Sequence, residues 1–331
     1  MYRLIGFNPS PYSIKMRAVL RYRRLPFIWD NRTDAREIAQ RHGLPPVIPV
    51  LAMPDGVVMN DSTLLIHELE RRHPGQRSIV PPDPAQTFFA GLIEDMADEW
   101  LTKCMFHYRW YYEADRIFGT HWVTADRAPG RVTAKTAEAA KAFHDRQVGR
   151  MAMVGCTEAA KPVIEASYRR VLAALEASVP TQEYLFGTRP SLADFGLFGQ
   201  LQILATDPTS AAIMRSEAPH LHTWLMRLDD ASGVEGEWQP ANAAPGPAVI
   251  ALLRLAGDAY LPFLKANAEA IDEGRDMLHV RLADGEFTQA PFRYQAKCYR
   301  ALRSAYAALD PDARARVRPV LEETGCLAYL A

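Results

Sequence analysis

The sequence predicts an α/β domain with a mixed sheet, followed by an all-helical region. Three observations favour this order. Strand and helix patterns alternate over residues 1–78, the apolar periodicity becomes helical from residue 84 onward, and residues 232–247 are rich in Gly, Pro and Ala. Alternating short elements are typical of a sheet flanked by helices. At 331 residues the chain has room for two or three hydrophobic cores.

The chain begins with an apolar run at residues 2–7, which predicts a strand. The pattern that follows has a helical period, with basic residues such as Lys15 opposite the apolar ones. Ser10 is a suitable N-cap for this helix, and Pro11 is a suitable first helical residue. Unpaired N–H groups and the positive end of the helix dipole therefore converge at Ser10, where they attract an anion or a thiolate.

The next elements complete the order β-α-β-α-β-β-α. Residues 26–30 predict a second strand, and residues 33–42 predict a short helix. Two apolar runs surround the turn sequence at residues 54–56, which predicts a hairpin. Asp61 and Ser62 then cap a third helix, so the region forms a mixed sheet with helices around it.

Pro49 is unusual because it falls inside the apolar run at residues 46–53, which predicts a central strand. Proline has no N–H to donate to a strand ladder. A cis peptide bond between Ile48 and Pro49 would resolve this by turning the chain where the strand starts. An ordinary edge-strand proline is the alternative.

Apolar periodicity predicts helices through the rest of the chain. They cover residues 83–118, 133–153, 161–178, 191–205 and 218–231, and, beyond the linker at 232–247, residues 248–270, 293–309 and 312–324. Ser191 with Asp194 three residues later is a variant of the capping box. Residues 277–292 predict a hairpin that turns at Asp284-Gly285.

Charge and composition exclude several classes of protein. Lys plus Arg number 38 and Asp plus Glu number 39, so no global field attracts nucleic acid or an anionic membrane. The chain shows no targeting segment and no apolar run that approaches a membrane span. We therefore expect a cytoplasmic protein that binds neither nucleic acid nor membrane.

Cysteine and histidine spacing gives no metal-site pattern. The four cysteines lie far apart, at Cys104, Cys156, Cys298 and Cys326. This spacing argues against both a zinc knuckle and a disulfide framework, and buried, inert thiols are the simpler interpretation. His220 and His222 form the only close histidine pair, without neighbouring cysteine or carboxylate ligands, so we expect no metal.

With these motifs placed, the first 230 residues resemble the glutathione transferase family. Three motifs carry the resemblance in the right order: residues 10–13 at the first helix start, Ile48-Pro49 followed by Asp61-Ser62, and the capping box within residues 188–194. The resemblance implies a thioredoxin-like domain at residues 1–78 and an all-helical domain at residues 84–231. Residues 248–331 lie outside it, as a mostly helical C-terminal extension that contains a β-hairpin.

The resemblance assigns glutathione as co-substrate and gives Ser10 the catalytic position. A hydroxyl there would donate a hydrogen bond to the glutathione sulfur and, with the helix dipole, would lower the thiol pKa. Ser13 is a second candidate, although a local bond to backbone is the better explanation of this residue. Tyr12 would also contact glutathione.

The same resemblance places the rest of the tripeptide along the edge of the sheet. Ile48 would present backbone groups to the cysteinyl part, while Pro49 sets the geometry. Asp61 and Ser62 would bind the α-amino and carboxylate ends of the γ-glutamyl group at a helix N-terminus. Helix capping alone explains both residues without a ligand.

The resemblance also implies a pocket for an electrophile between the two domains. The residues predicted to line it are Tyr12, Trp100, Cys104, Tyr108 and Tyr111. The last four lie near one face of the long helix, at three- and four-residue steps. Core packing or a dimer seam explains the same pattern.

These observations lead to a serine-type glutathione transferase as the first hypothesis. The enzyme would hold glutathione as thiolate and let it attack a small apolar electrophile or peroxide, without metal or redox cofactor. Cysteine is absent at Ser10 and Ser13, so mixed-disulfide chemistry at this position is disfavoured. The resemblance implies a homodimer. The rivals are a non-catalytic binding or scaffold protein and a glutathione-dependent reductase or lyase for one metabolite.

Overall fold

The N-terminal strands form one mixed sheet in the computed structural model, which describes residues 1–75, 77–130 and 133–331. The strands are β1 (Tyr2–Ile5), β2 (Phe27–Asp30), β3 (Val50–Ala52) and β4 (Val58–Asn60), in the order β2-β1-β3-β4. β1 pairs parallel to β2 and antiparallel to β3, and β3 pairs antiparallel to β4. The predicted thioredoxin-like arrangement is confirmed.

Three helices flank this sheet: α1 (Pro11–Tyr22), α2 (Ala35–Arg41) and α3 (Ser62–Arg72). Neighbouring strand residues point to opposite faces. Leu4 and Leu51 belong to the large core that includes α1 and α3. Ile5 and Val50 instead pack against the alanines of α2 in a smaller core. The sheet therefore lies between α2 and the α1/α3 pair.

The peptide bond between Ile48 and Pro49 is cis, as predicted. β3 starts only at Val50, so residues 46–49 of the predicted strand lie outside it. The reason is that Pro49 has no N–H with which to join the ladder. The turn at residues 54–56 connects β3 and β4 as expected.

A helical region follows the sheet. Its helices are α4 (Pro84–Met96), α5 (Thr102–Tyr111), α6 (Glu113–Arg127), α7 (Ala134–Gly149), α8 (Lys161–Glu176), α9 (Leu192–Leu204), α10 (Pro208–Glu217) and α11 (Pro219–Asp229). A π-helical turn, Ala97–Leu101, joins α4 to α5, and Ala152–Val154 forms a short 3₁₀ turn. The capping box at the start of α9 is confirmed, with Ser191 and Asp194 bonded reciprocally.

The prediction of one continuous helix over residues 83–118 is wrong. The chain breaks at Tyr112, whose backbone is extended with φ −84° and ψ 140°. The residues on both sides of this break are helical, and a helical pattern interrupted at a single residue does not reveal the interruption. The sequence patterns also missed α10.

The C-terminal extension forms α12 (Pro247–Leu255), α13 (Leu261–Asp272), a hairpin of β5 (Leu278–Leu282) and β6 (Gly285–Gln289), and then α14 (Arg293–Ala307), α15 (Pro311–Glu323) and α16 (Leu327–Leu330). The predicted hairpin is confirmed. The Trp100 ring centroid lies 5.2 Å from those of Phe263 and Phe287. The extension therefore shares the core of the helical region.

α12 and α13 are joined by the π-helical turn Ala256–Tyr260. Among the described residues, this continuous segment, Pro247–Asp272, is long and apolar enough to cross a membrane, with a mean hydropathy of 1.4 over its best window. This corrects the expectation that no run approaches a membrane span. The segment is apolar because α12 and α13 are both core helices, and 72% of the window is buried inside the protein.

Candidate functional site

The start of α1 is held firmly in place by the helical region. Ser10 caps the helix, and its Oγ accepts a hydrogen bond from the Ser13 N–H at 3.3 Å. Just before it, Arg109 of α5 donates to the Pro9 carbonyl at 2.9 Å. The Asn8 N–H and side-chain amide both donate to Asp126 of α6. The cap is therefore positioned by long-range bonds as well as by its own turn.

A cavity of about 530 Å³ lies where the sheet edge, the helical region and the extension meet. The described residues that line it are Tyr12, Leu44, Pro45, Val47, Ile48, Met59, Asn60, Asp61, Ser62, Leu64, Asp98, Glu99, Tyr294 and Lys297. Four residues predicted to bind glutathione, namely Tyr12, Ile48, Asp61 and Ser62, meet at this one cavity. Ser10 is 4% exposed and is not part of this lining.

The wall beside the cis proline is tied to the end of β4. The Asn60 side-chain amide donates to the Pro45 carbonyl at 2.6 Å. This bond crosses the loop that leads to Ile48 and leaves Leu44, Pro45 and Val47 as an apolar wall. Ile48 also touches a second cavity of about 190 Å³, which includes Phe7 and Arg127.

Asp61 combines a strained backbone with two side-chain contacts. Its φ of 75° lies in the left-handed region, which disfavours residues other than Gly, Asn and Asp. One carboxylate oxygen accepts the Thr63 N–H at 3.2 Å as a helix cap. The other accepts the Tyr294 hydroxyl at 3.0 Å. The strained position aims this carboxylate at the cavity and at the extension.

A buried ion cluster lies behind Ser62. Lys15 is 0% exposed, and its ammonium lies 2.5 Å from Glu94 Oε1 and 2.7 Å from Asp98 Oδ2. Ser62 Oγ makes longer contacts with both Lys15 and Asp98, at 3.5 and 3.4 Å. Burial disfavours the ammonium, but Asp98 and Glu94 outweigh this and raise the pKa of Lys15 above its usual value. The cluster joins α1, α3 and α4 behind the cavity.

Glu99 lines the cavity, and its carboxyl group has an unusually high pKa. Burial, reinforced by the nearby Asp95 charge, raises its pKa to about 8, although a bond from Gln295 opposes this. Gln295 Nε2 donates to Glu99 Oε2 at 3.2 Å. Glu99 is therefore largely a neutral carboxylic acid near pH 7, and the net negative charge of the cavity wall is reduced.

Most residues predicted for an electrophile pocket lie elsewhere. Trp100, Cys104 and Tyr108 are 0 or 1% exposed. Trp100 donates to Ser167 Oγ, and the Cys104 thiol donates to the Ile164 carbonyl, so both face α8. A ligand in this cavity would not touch these three side chains. They pack in the core of the protein, as the alternative to a pocket predicts. Tyr111 bonds to Glu158 away from the cavity lining.

The thiols are placed as predicted. Cys104, Cys156, Cys298 and Cys326 are free and buried. Within residues 1–75, 77–130 and 133–331, no group of three or more His, Cys, Asp and Glu side chains is arranged to hold a metal ion.

The comparisons with known proteins match two separate parts of this chain. The family model described as glutathione S-transferase, N-terminal domain, matches residues 4–77. The model described as glutathione S-transferase, C-terminal domain, matches residues 138–227. The chain belongs to the glutathione S-transferase family. Its residues 248–331 lie beyond both matches, and no curated protein matches the chain.

Solved glutathione S-transferase structures resemble this chain at low identity. One, from Methylobacterium radiotolerans in complex with glutathione sulfonate, is 20% identical, with a TM-score of 0.44 over 73% of this chain and 99% of that one. One from Methylobacillus flagellatus with glutathione bound is 19% identical, with a TM-score of 0.40 over 70% of this chain and 94% of that one. The beta-etherase LigF from Sphingobium is 21% identical, with a TM-score of 0.47 over 72% and 96%.

Several residues in or behind the cavity of this glutathione S-transferase family member were not identified from the sequence. Lys15 was placed on the polar face of α1, and nothing in that helix alone indicates its burial. A usable signal was the acidic series within residues 94–99, because carboxylates at these steps in an apolar helix need a buried partner. No sequence pattern indicates that Tyr294 and Lys297 line the cavity, since their positions depend on how the extension packs.

Proposed function

We propose that this protein is a glutathione transferase that binds glutathione and activates its thiolate for attack on a small electrophile. One observation carries the proposal. The cavity of about 530 Å³ brings together Tyr12, Ile48, Asp61 and Ser62, which come from separate motifs that the family uses for glutathione. Its volume is sufficient for a tripeptide.

The chemistry of the wall supports glutathione as the ligand. The Asp61 carboxylate would accept hydrogen bonds from the α-amino group of the γ-glutamyl residue. Ser62 and the N-terminus of α3 would bind the neighbouring carboxylate, because unpaired N–H groups and the helix dipole favour an anion there. The backbone of Ile48 would pair with the cysteinyl residue as an added strand does.

The thiol would then lie toward the N-terminus of α1. Ser10 Oγ accepts a bond from Ser13 N–H, and its own hydrogen is available for donation to sulfur. A hydrogen bond to the thiolate and the helix dipole both favour the charged form, so the thiol loses its proton to solvent at lower pH. The thiolate sulfur then bonds to the electrophilic atom, and the leaving group departs with the electron pair.

Calorimetry with glutathione tests binding, and ultraviolet absorbance of the bound thiolate against pH tests activation. We expect Ser10→Ala to raise the thiol pKa of bound glutathione by about 1 to 2 units, since a hydrogen bond to a charged group contributes roughly 1.5–3 kcal/mol. Absence of binding at millimolar glutathione would contradict the proposal. An unchanged thiol pKa in the variant would remove Ser10 from the mechanism.

One observation favours the rival of a binding protein without catalysis. Ser10 is 4% exposed and stands outside the lining of the cavity. If the protein only binds glutathione, the thiol of the bound tripeptide keeps its solution pKa in wild type as well as in Ser10→Ala. The same titration therefore separates the two functions.

We also propose that the protein works as a cytoplasmic homodimer, as the family resemblance implies. Light scattering coupled to gel filtration measures the mass in solution directly. A mass of about twice the 37.1 kDa chain supports the dimer, and a monomeric mass contradicts it.

A further inference from the structure

The extension contributes directly to the wall of the cavity. Tyr294 and Lys297, one helical turn apart on α14, are both among its lining residues. The Tyr294 hydroxyl donates to Asp61 at 3.0 Å, a contact between residues 233 positions apart. α14 thus closes the side of the cavity that faces the start of α3, although it lies outside both regions matched by the family models.

The first turns of α14 are rigidly positioned. Asn267, which is 0% exposed, exchanges two hydrogen bonds with the backbone of Phe292, at 2.9 and 2.8 Å. The buried Gln295 accepts a bond from Gln289 at 2.9 Å and donates to Glu99. Because these bonds fix the backbone on both sides of Tyr294, the side chains at this end of α14 are presented to the cavity in a defined place.

Charge distinguishes Lys297 from the rest of the wall. Among the described lining residues it is the single cation, beside the carboxylates of Asp61 and Asp98 and the carboxyl group of Glu99. Asp98 is already paired with Lys15. No ion pair or hydrogen bond within the described parts of the chain engages the Lys297 ammonium. This exposed ammonium is therefore available to an anionic group in the cavity.

We propose that Lys297 binds a carboxylate of the ligand, so that the C-terminal extension is part of the binding site and helps to select the ligand. The inference rests on the proposed function. Glutathione carries two carboxylates, and Ser62 with the start of α3 accounts for one of them. The carboxylate that Lys297 binds is either the glycine carboxylate of glutathione or one on the group attached to its sulfur, and both sources present the same chemistry.

Calorimetry on the full-length protein separates these sources. Wild type, Lys297→Ala and the control Lys265→Ala are titrated with glutathione and with its glycine ethyl ester. They are also titrated with S-carboxymethylglutathione and its uncharged S-carbamoylmethyl counterpart. Lys265 is a suitable control because it is an exposed lysine of the same extension, paired with Glu269 on α13. Thermal unfolding checks that each variant is folded.

We expect Lys297→Ala to weaken binding about three- to tenfold for every ligand that carries the carboxylate bound by Lys297, and to leave binding unchanged for a ligand in which that carboxylate is absent or masked. A loss for glutathione but not its ester assigns the glycine carboxylate. A loss confined to S-carboxymethylglutathione assigns the carboxylate on sulfur. If wild type binds glutathione and Lys297→Ala binds all four ligands equally well, the inference is overturned while the proposed function stands. If wild type binds none of them at millimolar concentration, the proposed function itself fails.

Discussion

Lys15 Nζ lies 2.7 Å from Asp98 Oδ2, and this buried pair joins α1 to the π-helical turn beneath the cavity. Glu94 completes the cluster at 2.5 Å. The lysine side chain is 0% exposed and both carboxylates are nearly so. Ser62 and Thr63, in the first turn of α3, contact the same carboxylates. The start of α3 is therefore held by charges that are largely shielded from water.

Lys15→Met is expected to reduce the free energy of unfolding by about 3–5 kcal/mol, because it leaves two buried carboxylates without a counter-charge. The loss should become smaller at low pH, where the carboxylates take up protons. Urea unfolding at two pH values measures both effects. Lys141→Ala, which removes an exposed lysine paired with Asp145, is the control and should cost at most about 0.5 kcal/mol. Equal losses for the two variants would contradict the role of the cluster.

Glu99 makes stability depend on pH. Its pKa is raised to about 8 in the folded protein, chiefly by burial, from a usual value of 4.5. The folded state therefore holds a proton that the unfolded state releases, and this contribution to stability is lost as pH rises from about 4.5 through about 8. Glu99→Gln keeps a neutral acceptor for Gln295, so we expect it to be more stable than wild type near pH 9 and similar near pH 5.

Unfolding of Glu99→Gln as a function of pH is the measurement, with Glu138→Gln on the exposed face of α7 as the control. Asp95 also has a pKa raised by burial, to about 7, so part of the decline with pH should remain in the variant. A variant whose pH profile overlays that of wild type would show that Glu99 is ionised throughout.

Gly199 allows α9 to approach α1 closely. A Cβ at this position would lie 2.9 Å from the Pro11 carbonyl oxygen and 3.1 Å from Lys15 Cβ. Gly199→Ala should therefore destabilise the protein by about 1–3 kcal/mol through overpacking. Gly91, inside α4, has open space around it. Gly91→Ala should instead be neutral or should stabilise by up to about 1 kcal/mol, because alanine has the higher helix propensity.

Chemical denaturation of these two alanine variants in parallel gives the comparison. The opposite signs are the informative result, since the substitution is the same and only the surroundings differ. A stability loss at position 199 no larger than at position 91 would mean that the two helices can separate without cost.

Local signals predicted the N-terminal fold well. The strand and helix order, the cis bond before Pro49 and the caps at Asp61 and Ser191 all depend on residues close together in sequence. The family resemblance carried by these motifs is what placed Ile48 and Ser62 at a common site, and both residues line the cavity. Short motifs succeed here because turns and caps require particular residues at particular backbone positions.

Local sequence patterns could not predict contacts between segments that are distant in sequence. Periodicity showed that Trp100, Cys104 and Tyr108 share a face, but it does not say which neighbour covers that face. In the structure α8 and the extension cover it. Lys15 was placed on the polar side for the same reason, since its partners at Glu94 and Asp98 come from another helix. The position of α14 depends on the whole path of the extension.

The capping box at α9 should contribute more to stability than an exposed box of the same kind. Asp194, 0% exposed, accepts hydrogen bonds from Ser191 N–H at 2.8 Å, Ser191 Oγ at 2.5 Å and Leu185 N–H at 3.0 Å. Asp194→Ala leaves these buried donors unpaired, and we expect a loss of about 3 kcal/mol or more in the free energy of unfolding. Thr133→Ala removes the exposed cap of α7, where we expect about 0.5–1 kcal/mol. Urea unfolding of both variants tests this, and a loss for Asp194→Ala as small as that for Thr133→Ala would show that the buried donors find other partners.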